Sequence, residues 1–450
     1  EWDFENDGTF DWADSTSGAA SFQYALPGTK RAKLRVTDDD GARTLAFTAS
    51  FELFDGIYVS ASTGSDANAG TRTEPVASID RGLDLSGQER RPVLVAVGDY
   101  GAFSPRSGVD VLGGLDPSTW QPSPSGYSEL PVPSAGFRFS SIEDATYRRM
   151  GFVATDATGP GRPSVGVVID DCPRTLVFED CLFVGGNATN GSAGANGQDG
   201  GDGEPGQNGR DAADGQFVGT SGRGLGGNSP GAGSGGNGGG GTTTDIFGDF
   251  LAAGSGSQGG APPSQAGGAG GVLDDPLASC TNGRNGGDGP NGPDRSGGSG
   301  PVSITGEFAS AFELWRPSKG NDGQDGVDGS GGGGGAGAGG TSTNSCQTFG
   351  AGGGGGGGGG QGGTRGEGGL GGGASIAVFF LDSQARLVDC ALRTRNAGNG
   401  GPGGDAGLGG VGAAGGVGTI NNGLLSGNGG RGGDGGDGGG GQGGPGGPVI

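Results

Sequence analysis

Asp3, Glu5, Asp7, Asp11 and Asp14 fall at positions 1, 3, 5, 9 and 12 of one stretch, with Gly8 at position 6. Hard carboxylate oxygens at alternate positions converge on a hard cation, and the glycine permits the sharp turn between them. This spacing predicts a Ca²⁺ loop, with the short Asp14 where a bidentate glutamate is usual. The flanks read as strands rather than helices, and a solvated acidic turn is the plainer alternative. The rest of the chain is poor in reactive groups. It has no histidine, which removes Ser-His and Cys-His catalysis and the usual His-containing zinc sites. Lys30, Lys33 and Lys319 are its only lysines, so Schiff-base chemistry has almost no candidates. Five cysteines permit two disulfides and one leftover thiol. Cys280 and Cys346 both lie in Ser/Thr/Asn-rich breaks between glycine tracts, where a staple would tie a core-poor region, and they are expected to pair. Cys181 and Cys390 occupy matching positions of an internal repeat and would stack or bond if those segments are neighbours. The pairing of Cys172 stays open.

The elements that must position these residues divide sharply by composition. Of 120 glycines, residues 1–184 hold 20 and residues 185–450 hold 100. The first part is long enough for one or two domains with cores. The second has too few side chains to bury, so something other than apolar burial must order it. Lys plus Arg is 26 against 49 Asp plus Glu, a net charge of −23, which repels phosphate backbones and excludes nucleic acid as a partner. The longest apolar run, Ser375 to Leu381, is far short of the roughly 20 residues that span a bilayer, so no membrane insertion is expected. The opening residues read as the inside of a motif rather than as a signal peptide, so a processed or trimmed secreted chain is expected.

Residues 1–54 alternate short β runs with turns. Ala32-Lys33-Leu34-Arg35-Val36 alternates apolar and charged, as a half-buried strand should, and Asp38-Asp39-Asp40-Gly41 reads as a turn. Trp2-Asp3-Phe4, Tyr24-Ala25-Leu26-Pro27-Gly28-Thr29 and Val36-Thr37-Asp38-Asp39-Asp40-Gly41 resemble the words of the PKD family. That resemblance implies a small Ig-like sandwich on a bacterial secreted or surface protein. The two strands that normally precede Trp-Asp-Phe in that family are absent here. This implies an exposed sheet edge, filled from upstream sequence or by a neighbouring subunit.

Residues 55–184 open with Ile57-Tyr58-Val59 and the turn cluster Gly64 to Thr71. Val76, Ile79 and Leu83 then fall at helical spacing, and Val93 to Val97 forms a fully apolar strand. This order is similar to the start of the pectate-lyase-like superfamily, which implies a right-handed parallel β-helix. Enzymes of that superfamily use aspartate clusters, and the candidates here are Asp170, Asp171, Glu179 and Asp180 with Arg174. Asp170 and Asp171 are adjacent on a strand end and would point to opposite faces. Polar turn residues are therefore expected, with no catalytic residues.

Ser164-Val165-Gly166-Val167-Val168-Ile169 matches Ser375-Ile376-Ala377-Val378-Phe379-Phe380. Leu176-Val177 matches Leu387-Val388 and, after a two-residue gap, Asp180-Cys181 matches Asp389-Cys390, each leading into Asn187 or Asn396. Residues 374–396 therefore read as a later coil of the same β-helix, with 185–373 an insertion. Residues 397–450 read as further glycine tracts with a partial coil at 419–425.

The glycines have period three, as at 191, 194, 197, 200, 203, 206 and 209, and again at 429 through 447. Three residues per turn is the period of the extended left-handed helix, which has no internal hydrogen bonds. Collagen needs at least roughly 15–20% proline, and this chain has 24 Pro in 450 residues. The expected solution is a bundle of about eight polyglycine II helices, each supplying the amide partners of its neighbours. Gln198, Asp199, Gln207, Asn208, Asn321 and Asp322 would face solvent. The composition resembles the glycine-rich bundles of insect antifreeze proteins and phage adhesin tips.

The fold class expected is thus all-β plus polyglycine II. The function expected is that of a non-enzymatic secreted or cell-surface structural protein, self-associating into a fibre, filament or matrix. An adhesin binding glycan or ice through the bundle is one alternative, and a β-helix polysaccharide lyase or hydrolase is another. The apolar end Pro448-Val449-Ile450 is a candidate docking element.

Overall fold

The computed structural model describes the chain except residues 15–18, 23, 25–27, 54, 125, 213–221, 230, 242, 245–249, 263–265, 274–279, 300–305, 308–314 and 341–349. Ala25, Leu26 and Pro27 of the PKD-like words, and Cys346, lie outside the described residues. The fold is mostly β, with one α-helix, Ile79–Ser86, among the described residues.

At the N-terminal end, Trp2–Asp3, Lys33–Thr37 and Arg43–Phe47 form an antiparallel sheet with Trp2 opposite Leu34 and Lys33 opposite Phe47. Trp2, Phe4 and Phe22 stack in series beside it. Strand Arg43–Phe47 is exposed along its whole length, and Val36, Leu45 and Phe47 present their side chains to solvent. Asp3 is fully buried and forms a 2.7 Å ion pair with Lys33 Nζ. Burial alone would raise its pKa, but hydrogen bonds donated by Lys33 and by the Gly8 and Asp7 amides outweigh burial and hold it below the ordinary value. A carboxylate with a depressed folded pKa contributes stability above its unfolded pKa of about 3.9 and loses that contribution as pH falls through the folded value. The sheet is therefore expected to weaken on acidification below about pH 4. Asp3→Ala, which strands Lys33, is expected to cost about 3 kcal/mol at neutral pH and to flatten the acid dependence. Urea denaturation followed by tryptophan fluorescence as a function of pH checks both.

Residues 57–184 and 375–393 build three parallel sheets. The first contains Ile57–Val59, Val93–Ala96, Val111–Leu115, Ala145–Arg148, Leu176–Glu179 and Arg386–Val388. The second contains Gly98–Asp99, Ser128–Val132, Met150–Ala154, Leu182–Val184 and Ala391–Arg393, and the third Phe137–Ser140, Ser164–Asp170 and Ser375–Leu381. From Ser128 onward the chain visits second, third and first sheet in strict rotation, so each circuit is a rung stacked on the one before. Left-handed backbone turns mark the corners. Ser141, Asp171 and Asp382 stack at one, and Arg149, Asp180 and Asp389 at another, all with φ between 46° and 53°. Aspartate tolerates this region better than most residues. Inside the rungs, Phe139, Tyr147, Phe152, Phe178 and Phe183 form a contiguous buried ring ladder.

The helix closes the first rung. Ser78 Oγ accepts from Arg81 N to cap it, and Ile79 and Leu83 are buried against the first strands. The last rung has the internal-repeat register: Ser164 pairs with Ser375 and Asp170 with Leu381. Phe178, not Leu176, lies opposite Leu387, so the two-residue gap falls in the corner after Asp170 rather than inside the next strand. A corner can absorb an insertion that a ladder cannot. The backbone of the chain's last residues is tied to the stack, while the Val449 and Ile450 side chains stay exposed. Ser375 N donates to Pro448 O and Ala377 N to Ile450 O, adding Val449 to the third sheet of their own stack.

Candidate functional site

Between Val184 and Ser375, and again after Arg393, the chain leaves the rungs as extended glycine tracts without intrastrand bonds. Ten tracts are connected among the described residues: 187–210, 222–229, 231–241, 253–260, 266–272, 282–298, 318–338, 350–373, 397–418 and 427–447. The rungs set their register. Leu182 pairs with Ala391, and the same 209-residue separation continues where Asn396, Asn399, Asp405, Leu408, Val411 and Val417 donate their amides to Asn187, Asn190, Asn196, Asp199, Asp202 and Asn208 side chains. Alongside, Gly191, Gly194, Gly197 and Gly200 donate to the carbonyls of Asn399, Pro402, Asp405 and Leu408. One parallel alignment thus runs from the sheet into the tracts.

Tract 318–338 shows what orders the glycine. Gly332, Gly333 and Gly334 donate in turn to Gly357, Gly287 and Ser257, which belong to three different tracts. The pattern repeats every three residues from Gly329 to Ala338. Its carbonyls accept from three further tracts, through Gly236, Gly430 and Gly271 among others. Tract 350–373 has the same six-neighbour surroundings. The other eight tracts ring these two, so the array is a pair of fused hexagons. Residue choice follows from the number of packed faces. A Cβ on Gly333, Gly334 or Gly335 would come closer than 3.0 Å to the backbone of three different tracts. Accordingly residues 352–360 are all glycine, and the side chains that occur within 329–338 and 350–360, the enclosed stretches of the two central tracts, are small: Ser330, Ala336, Ala338 and Ala351 are fully buried. Rim tracts carry glycine at the packed positions and other residues at most of the rest.

The remaining rim positions do more than face solvent. Asp199, Asn208 and Asp322 are outward, as expected, but each side-chain oxygen accepts an amide of the adjacent tract. Asn282, Asn285, Asp288, Asn291 and Asp294 do the same for Leu425, Asn428, Arg431, Asp434 and Asp437. These caps satisfy rim amides that have no backbone partner. They also tune the acids: the Gly412 amide holds Asp434 below the ordinary carboxylate range, and the Gly368 amide, with Lys319, does so for Asp322.

The partial coil expected at 419–425 is instead a hairpin. Ile420–Asn421 pairs antiparallel with Leu424–Leu425 around Asn422 and Gly423, both at positive φ, the geometry a two-residue turn requires. It joins the last two tracts.

The other candidate sites are dispersed. In the acidic loop, Asp3 oxygens accept from Asp7 N, Gly8 N and Lys33 Nζ, Asp7 Oδ1 accepts from Thr9 N, and Asp11 Oδ2 accepts from Phe4 N. Glu5 and Asp14 are exposed. Asp3, Asp7 and Asp11 thus accept from backbone amides and, at Asp3, a lysine ammonium, and the five carboxylates do not converge as ligands of one cation. Among the described residues, no group of three or more Cys, Asp or Glu side chains is placed to hold a metal. On the rungs, Asp170 pairs with Arg138, Glu179 with Arg148 and Asp180 with Arg149, each carboxylate meeting the arginine one rung earlier. The structure does not draw them into one cleft. Cys280 is disulfide-bonded, while Cys172, Cys181 and Cys390 are free thiols. No helix among the described residues is long and apolar enough to cross a membrane. No protein-family model, curated protein or solved structure matches the chain.

Proposed function

We propose that the chain is a non-enzymatic extracellular structural protein that associates with further copies of itself through the last layer of its stack. In this reading residues 1–54 are a partial Ig-like sandwich, the rungs form a right-handed parallel β-helix, and the tracts form a polyglycine II bundle. The rotation of the chain through three sheets supports the second assignment. The three-residue repeat of intertract hydrogen bonds supports the third. A disulfide at Cys280 suits an oxidising, extracellular setting.

The observation that carries the functional reading is the outer surface of the last layer. Strands Arg386–Val388 and Ala391–Arg393 end their sheets, with no strand beyond them among the described residues. Phe380 and Leu392 of that rung are exposed. In the tract that grows from it, the rim positions change character. Where tract 187–210 carries Asn and Asp caps, tract 397–418 carries Leu408, Val411 and Val417, followed by Ile420, all more than half exposed. At about 3.1 Å per residue these knobs lie about 9 Å apart, except for a double step at Ala414, in a row about 37 Å long. A regular apolar row of this kind is complementary to a second such row, and the unpaired rung edges beside it offer backbone groups to a like edge. The occupant is therefore a second copy of this chain. At the head of the stack the helix packs against Ile57–Val59 and Val93–Ala96, the first two strands of the first sheet.

Light scattering of the purified chain across a wide concentration range tests this. Concentration-dependent association is expected, and it is expected to be lost in a Val411→Asp, Val417→Asp double variant that keeps its circular dichroism. A monomer at every concentration, or association unaffected by the two substitutions, would contradict it.

A further inference from the structure

We propose that Cys181 and Cys390 are a disulfide-forming pair, a modification site that ties the last rung and its glycine tract to the rung beneath. Leu182 and Ala391 are paired in register, and Ala391 N donates to Cys181 O, so the two cysteines stack on adjacent parallel strands. Neighbouring strands lie about 4.8 Å apart, inside the roughly 4.4–6.8 Å Cα separation that a disulfide spans. The Cys390 thiol points toward its partner's rung: its Sγ is 3.4 Å from Phe178 O, three residues before Cys181. The Cys181 thiol points the same way, toward Tyr147 O one rung further down.

Access and acidity divide the roles. Cys181 is fully buried, whereas Cys390 is only partly so. Hydrogen bonding from the Cys181 thiol lowers the pKa of Cys390, and burial raises that of Cys181. Thiolate, not thiol, is the attacking species. With a small disulfide such as oxidised glutathione, the Cys390 thiolate attacks one sulfur, forms a mixed disulfide and expels one glutathione thiolate. The Cys181 sulfur, after giving up its proton to solvent, then attacks the Cys390 sulfur and expels the second. Two protein thiols are oxidised and one glutathione disulfide is reduced to two thiols. Cys172 stands in a different column, between Ile142 and Ser383. It has no stacked cysteine and serves as an internal control.

The full chain incubated with oxidised glutathione, then mapped without reduction, reads the outcome. A Cys181–Cys390 linked peptide is expected, with Cys172 unmodified, and with amide exchange in Ala391–Arg393 slowed at least about tenfold relative to the reduced chain. Cys390→Ser, with unchanged circular dichroism, is expected to abolish the link without creating one at Cys172. Accumulation of a glutathione adduct on Cys390 without transfer to Cys181, or two thiols still fully alkylated in denaturant after the incubation, would overturn the assignment.

Discussion

Gly439→Ala is expected to destabilise the array by about 1–3 kcal/mol, while the same change at the next residue, Gly440→Ala, is expected to stabilise it by about 0.4–1 kcal/mol. A Cβ on Gly439 would drive into the carbonyl of Ser296 in the neighbouring tract, closer than any real contact. A Cβ on Gly440 finds its nearest heavy atom, Gly404 O, 3.7 Å away. The two glycines have the same chemistry and the same tract and differ only in phase. The alanine at 440 retains one benefit, a less flexible unfolded chain, without a clash. A matching change in a central tract, Gly356→Ala, is expected to exceed the cost at Gly439, because its tract is enclosed on all sides and cannot shift outward. Chemical denaturation reads these differences through Trp315, whose indole Nε1 donates to Gly372 O at the tract edge. Equal costs at 439 and 440 would mean that phase does not matter.

Deleting Asp199-Gly200-Gly201 is expected to leave the array folded, while deleting Gly200 alone is expected to abolish its cooperative unfolding. The triplet deletion moves the following residues by one period, so every glycine still meets a packed position. The single deletion puts Glu204, Gln207 and Arg210 where Gly203, Gly206 and Gly209 now meet the carbonyls of Gly358, Gly355 and Gly352. Each misplaced side chain costs at least about 1–3 kcal/mol, against a total stability of about 5–15 kcal/mol for a typical domain. Thermal unfolding of the two variants distinguishes them.

Much of this architecture is written plainly in the residue order. Ser164-Val165-Gly166 against Ser375-Ile376-Ala377 announces two rungs in contact, and the glycine period announces intertract bonding. The depth of a tract was legible too, though less obviously: an unbroken run such as 352–360 marks a tract enclosed on all faces, and one glycine in three marks a rim, whereas the count of about eight falls short of the ten tracts because short ones such as 222–229 and 266–272 hold too few periods to stand out. The caps also leave a trace. Asn190-Gly191, Asp199-Gly200 and Asn285-Gly286 each place an Asx residue one step before a packed glycine, the phase from which its oxygen reaches sideways to a neighbouring amide. Read as hydrophilic surface, that signal is missed. The acidic loop misleads for another reason. Its spacing suits a cation, but the cation that meets Asp3 is Lys33, supplied by a strand thirty positions away. Local spacing carries no record of such a partner. The hairpin at 420–425 resembles a rung because short apolar runs suit either. Asn422-Gly423 decides the matter, since both residues accept the positive φ of a tight turn.

The hydrogen-bonded array is tested most directly by native-state amide exchange resolved to single residues. Every amide from Gly331 to Ala338 and from Gly352 to Gln361 is expected to be protected by at least about a thousandfold, three residues in every three. In the rim segment 191–200 the strong protection is expected to concentrate at Gly191, Gly194, Gly197 and Gly200, which donate to the tract above them. Protection absent from the all-glycine run 352–360, or the same at every residue of 191–200, would contradict it.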